Sequence, residues 1–122
     1  MGDLTLNFSA SEFKCPCCGK SKMNKGTIAR LQLLRADYAI SFSPVDGGGY
    51  RCEEYEDKKG THYMGRAIDP GISRGDMYEF LALAIKHGFT GIGLKQKKGK
   101  WQIHIDDYEG DARRPRPWLW TY

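Results

Sequence analysis

His62 and Asp69 bracket the stretch HYMGRAID, and His104 sits inside the alternating run WQIHIDD toward the far end of the chain. Two imidazoles and one carboxylate suit a zinc ion that keeps its fourth coordination position open, the arrangement of a hydrolytic rather than a purely structural metal site. Seven extended residue steps would carry Asp69 roughly 23 Å from His62, yet ligand atoms on one zinc lie within about 4 Å of one another. The chain must therefore double back between them, and Gly65 supplies the flexible point. Small Ala67 and apolar Ile68 then read as a buried strand whose end presents Asp69, with Pro70 as its stop. The bland alternative for each histidine is an ordinary hydrogen-bonded core or surface residue. His87, beside Gly88 at the end of a helical stretch, is read that way, as stabilising a helix C-terminus.

The elements that must position these groups follow from periodicity. From Lys25 to Ala39 the apolar residues Ile28, Leu31, Leu34 and Tyr38 recur at helical spacing, with Asn24 as N-cap. Ser43 to Gly49 reads as turn and loop. In a second helix Met77, Phe80, Leu81, Ala84 and Ile85 follow the i, i+3, i+4, i+7, i+8 pattern, with Asp76 as cap and Gly88 as stop. GFTGIGLK and KWQIHID, joined across a Lys/Gly segment, predict an antiparallel hairpin. In the second of these strands Gln102, His104 and Asp106 share one face, while Trp101, Ile103 and Ile105 share the other. Asp107 is expected to point away from the His104 face. Strands and helices mixed without a regular βαβ alternation predict an α+β domain.

At 122 residues, with 28% charged and 40% hydrophobic residues, the chain has room for one domain, spanning 1–122, with a single core. No apolar run reaches the length of a bilayer span, which argues against membrane insertion. The N-terminal residues show no basic segment followed by a hydrophobic stretch, so synthesis in the cytoplasm without a signal peptide is expected. The net charge of +4, with Lys95, Lys97, Lys98 and Lys100 close together, favours anionic polymers without choosing among them. Those lysines also fit a solvated hairpin tip, and no recognition motif points to specific nucleic-acid binding. A monomer is expected.

Cys15, Cys17 and Cys18 cluster in CPCCGK, and Cys52 follows Arg51. Cys15 and Cys18 have the CxxC spacing of zinc and redox sites, but there is no second CxxC. The expectation is a structural tie between this segment and the Cys52 loop, by disulfide or metal, with the partner of Cys52 left open. No His or acid stands beside these cysteines in a way that suggests a catalytic thiol.

EFKCPCCGK, then GGGYRC, THYMGRAID, GFTGIGLK and IHID, followed by a Trp-containing C-terminal segment, resemble in that order the zinc D-alanyl-D-alanine carboxypeptidase family. That family is grouped structurally with lysostaphin-type peptidases and the Hedgehog signalling domain, and it includes short bacteriophage and bacterial cell-wall peptidases. Its pattern His-x-x-Gly-x-Ala-x-Asp with a distant His is matched by His62, Gly65, Ala67, Asp69 and His104. The resemblance implies a Hedgehog/DD-peptidase-like α+β fold, a small antiparallel sheet packed against helices, with Zn2+ in a cleft on the sheet. It implies that His62, Asp69 and His104 hold the metal and that Arg51 faces the substrate, where its planar fork can grip a carboxylate or polarise a carbonyl. An ion pair with Glu53 or Glu54 is the ordinary alternative for Arg51.

Two departures from the family stand out. Family members often carry Ser where this chain has Gly49 and Gly60, and relatives place an acid or His just before the last ligand, where Trp101 and Gln102 stand here. Asp106 is then the candidate catalytic carboxylate, either as general base or as a partner that orients His104. The activity implied is hydrolysis of peptide bonds in peptidoglycan stem peptides, of the phage lysin type, acting on the cell wall after release from the host cytoplasm. The alternative is a zinc-containing phage structural or binding module with little or no turnover. Which stem-peptide bond is cut stays open, because carboxypeptidase and endopeptidase cleavage need similar zinc chemistry.

Overall fold

A computed structural model describes residues 2–56 and 59–122. Helix α1 spans Lys25–Asp37, and Asn24 caps it by accepting a hydrogen bond from the Thr27 backbone N–H. Ile28, Leu31, Leu34 and Tyr38 are all buried, as their helical spacing predicts. A single turn, α2, follows at Glu53–Glu56, and α3 covers Met77–Lys86. Met77, Phe80 and Ala84 of α3 are buried, whereas Ile85, expected on the same face, is 61% exposed. Asp76 starts α3 without a side-chain cap, because Arg74–Asp76 already form a 3-10 turn that feeds the helix. Past the C-cap His87, Gly88 takes φ +90° and ends the helix.

Four strands form one sheet: β1 (Ala67–Ile68), β2 (Gly91–Lys97), β3 (Lys100–Asp106) and β4 (Trp118–Thr121), in the order β1-β3-β2-β4. β2 and β3 make the expected hairpin, turned by Lys98 and Gly99 at φ 53° and 77°, the left-handed pair that a two-residue turn requires. The sheet is mixed, which corrects the expectation of a purely antiparallel one. Residues 107–117 carry the chain back across the molecule, so β4 enters alongside β2 and runs parallel to it.

One face of β3 places Ile103 and Ile105 in the core with Ile68, α1 and α3. Edge-to-face aromatic contacts thicken that core, with Phe42 and Phe80 centroids 5.1 Å apart and Tyr38 and Phe80 5.3 Å apart. The other face carries Gln102 and His104 onto the wall of a cleft and buries Asp106 behind it. Asp107 points elsewhere, accepting hydrogen bonds from Thr27 and Arg30 of α1 and from Arg66, which ties the helix to the sheet edge. Among the described residues no helix is long and apolar enough to cross a membrane.

Candidate metal centre

His62 stands in a turn that doubles the chain back toward β1. The Gly65 N–H donates to the His62 carbonyl, and Gly65 adopts φ +72°. A side chain at Gly65 would run into the backbone of Lys22 and Asn24, so this position needs glycine both for its dihedral and for its close approach. The Gly65 carbonyl also accepts from the Asn24 N–H, which docks the turn on the start of α1. β1 then delivers Asp69 just beyond its last residue. Asp69 is pinned there through its backbone: its N–H donates to the Gly48 carbonyl, and its carbonyl accepts from Val45.

The structure brings the three sequence-predicted ligands together. His62 Nε2 lies 3.2 Å from Asp69 Oδ1, and His104 Nδ1 lies 3.4 Å from the same oxygen. Four donors placed about 2.1 Å from a tetrahedral zinc have edges of about 3.4 Å. The two observed separations match such edges. Asp69 Oδ1 is also buried without an aligned hydrogen-bond donor among the described residues, even though both imidazole nitrogens are near it. An anionic oxygen in that position calls for a cation.

Each imidazole has its tautomer set from behind. His62 Nδ1 is 2.8 Å from the Gly49 carbonyl, which can only accept, so Nδ1 carries the proton and Nε2 keeps its lone pair for the cleft. His104 Nε2 is 2.7 Å from Asp106 Oδ2, so Nε2 donates and Nδ1 faces Asp69. Gly49 sits where an added Cβ would come within 2.6 Å of Phe13 Cα, so no larger residue has room here.

Asp106 is fully buried, and its carboxylate is saturated. Oδ1 accepts from Arg116 Nε at 2.9 Å and from the Tyr108 N–H at 3.3 Å, while Oδ2 accepts from Arg116 Nη2 at 2.8 Å and from His104. Burial alone would raise its pKa; His104 and Arg116 outweigh that and lower it. Of the two roles left open in the sequence, these bonds match orientation of His104. The bond with His104 is on the ring nitrogen that faces away from Asp69 Oδ1, so Asp106 stands behind the ring and not beside the converging donors.

Arg51 lines the cleft. Its Nη2 donates to Asp69 Oδ2 at 2.6 Å and its Nε to the Gly47 carbonyl at 2.7 Å. The guanidinium thus holds the second oxygen of the carboxylate whose first oxygen faces the histidines. His87 is placed as predicted, outside this centre, with Nε2 2.9 Å from Asp37 Oδ2 at the ends of α3 and α1.

Sequence reasoning missed the C-terminal contribution. Gly93 pairs with His104 on one side and with Trp120 on the other, and the Trp120 ring leans over it to lie 5.2 Å from the His104 ring. A Cβ at Gly93 would sit 2.9 Å from Trp120 Nε1, and one at Gly91 would collide with the Asp106–Arg116 pair. The two glycines of GIG therefore make room for the shell behind the ligands. Glycine at alternate positions of an apolar strand signals such close approach and was the available clue. The cleft, about 690 Å³ in volume, carries Lys95, Arg113, Arg114 and Arg116 on its walls together with Asp46, Trp118 and Tyr122. Burial and the nearby Asp69 push the Tyr122 hydroxyl up to about 12, so it stays protonated at neutral pH.

Neither the protein-family models nor the curated proteins compared with this chain give a match.

Proposed function

We propose that this chain is a zinc-dependent peptidase that hydrolyses peptide bonds in peptidoglycan stem peptides, of the phage lysin type. The reading rests on one observation: the ring nitrogens of His62 and His104 lie at tetrahedral-edge spacing from a buried, unsatisfied oxygen of Asp69 on the wall of an open cleft. The resemblance of the sequence to the zinc D-alanyl-D-alanine carboxypeptidase family points the same way. These residues would hold zinc, which when bound supplies Lewis-acid polarisation of a scissile carbonyl and acidifies water.

The protein's own groups do the rest. Gly49 and Asp106 fix the two imidazoles, and Arg51 fixes Asp69, so the ligand geometry is set before substrate arrives. Lys95, Arg113 and Arg114 give the cleft a positive wall suited to the carboxylates of a stem peptide. Because the Asp106 carboxylate is saturated by its partners, the proton acceptor in this reading is Asp46, the cleft-wall carboxylate other than Asp69 among the described residues. The same saturation favours a second reading, a zinc-holding binding module with little turnover.

Zymography on purified cell wall, with and without a chelator, separates the two. Chelator-sensitive lysis that is lost in His104→Ala together with the zinc of the cleft is expected, and lost in Asp46→Asn with that zinc retained. Absence of lysis at every zinc concentration would leave only the binding module.

A further inference from the structure

A second group of metal-ligating side chains lies apart from the His62 centre. Cys15 and Cys52 are buried, with sulfurs 3.5 Å apart, and Cys18 completes a set whose sulfurs all lie within 4.8 Å of one another. Donors at about 2.3 Å from a tetrahedral zinc have edges of about 3.8 Å, so the three thiols are spaced as zinc ligands are. The local chain explains why. The Cys15 carbonyl accepts from the Gly19 N–H at 2.9 Å, and the Cys15 N–H donates to Lys20 at 2.7 Å. Gly19 takes φ +74° to close that turn, which folds the CxxC so that both sulfurs face Cys52.

The backbone N–H of Cys52 points at the Cys15 sulfur at 3.4 Å, a donor that favours a thiolate. A disulfide would use two of these sulfurs and leave the third without a role. A metal uses all three. Candidates for a fourth donor stand on the Cys52 side, because Cys17 and Glu54 form an overlapping group with Cys52, Glu54 Oε2 lying 3.9 Å from its sulfur, and one of them would shift toward Cys15 and Cys18 to close the site.

We propose that Cys15, Cys18 and Cys52 hold a structural zinc ion, closed by Cys17 or Glu54, that clasps the N-terminal segment to the loop bearing Arg51. The Tyr50 N–H donates to the Phe13 carbonyl at 2.9 Å beside the clasp, so one short stretch of chain joins it to Arg51 and, through Arg51, to Asp69. The site binds metal without reacting with substrate: its ligands, two of them buried thiols and the others at the surface, fill the coordination sphere.

The test counts metal per chain after purification in zinc under reducing conditions. The wild type is expected to hold zinc at both centres, His104→Ala to keep only the thiolate-bound ion, and Cys52→Ser to keep only the cleft ion. A wild type that holds only the thiolate-bound ion would refute the catalytic reading and leave this proposal standing; a wild type that holds only the cleft ion would refute this proposal alone. Cobalt loading of the wild type covers the case in which Cys52→Ser fails to fold, since thiolate-to-cobalt charge-transfer absorption is then expected in the near ultraviolet. Absence of that band, or a Cys15–Cys52 disulfide in the non-reduced chain as isolated, would overturn the proposal. Cys17→Ser or Glu54→Gln, whichever supplies the fourth donor, should lose the ion to chelator at least tenfold faster. Unchanged loss in both would overturn the closed site.

Discussion

At the scale of single residues, the decisive contacts sit one layer behind the candidate ligands. Asp106 offers four lone-pair directions, and His104, Arg116 and the Tyr108 backbone fill them, so its carboxylate is a fixed dipole partner for one imidazole. Removing charge from such a partner while keeping its shape loosens the ring it orients and lowers the basicity of the nitrogen on the other side. Asp106→Asn should therefore weaken zinc binding at the cleft by roughly 10–100-fold, and it should also lower stability by leaving the Arg116 guanidinium buried beside a neutral amide. A zinc titration of the variant against a competing chelator checks this. Unchanged zinc affinity with lost turnover would return Asp106 to the role of general base. The candidate ligands were legible in the sequence through the resemblance carried by the local His-x-x-Gly-x-Ala-x-Asp pattern, and the alternation around His104 fixes its face. Arg116 and Trp120 were not, because nothing in their own neighbourhood shows that β4 returns alongside β2.

At the scale of elements, helix α1 and the hairpin read cleanly from periodicity because each buries one face against a single core. β1 has only two residues and exists because β3 pairs with it, which no local pattern can show. The packing of α1 against α3 has its own electrostatic tie, because Asp37 at the end of α1 receives Lys86 at 3.0 Å and His87 at 2.9 Å from the end of α3. Hydrogen bonds first from His87 and then from Lys86 lower the Asp37 pKa below its ordinary value of 3.8. A depressed carboxylate contributes stability that is present above its unfolded pKa and is lost as pH falls through the folded value. Asp37→Asn should thus lower the melting temperature slightly at neutral pH, and the gap from wild type should close in acid, below the depressed value. The pair is solvent-exposed, so added salt should narrow the gap as well. Melting curves over an acid-to-neutral series test this; a gap that is constant with pH would assign the effect to packing instead.

At the scale of the whole molecule, the two candidate metal sites join parts of the chain that secondary structure alone leaves loosely connected. The cleft site links the turn after Gly60, the end of β1 and the middle of β3, whereas the cysteine group links the N-terminal segment to the loop before α2. Arg51 lies between them, bonded to Asp69 of the first and adjacent in sequence to Cys52 of the second. A ligand that binds only the folded chain stabilises it by mass action, by about 4 kcal/mol when its free concentration is a thousand times its dissociation constant. For one domain of this size that corresponds to a rise in melting temperature on the order of 10 °C. Zinc added to chelator-stripped protein should produce such a rise, in buffered zinc and with a reductant to keep the thiols free. His104→Ala should retain part of the rise through the cysteine group, and Cys52→Ser part of it through the cleft, because each variant spares the other ligand set. A melting temperature that does not respond to zinc in the wild type would refute both metal sites together, since neither set of converging donors would then hold an ion in the folded chain.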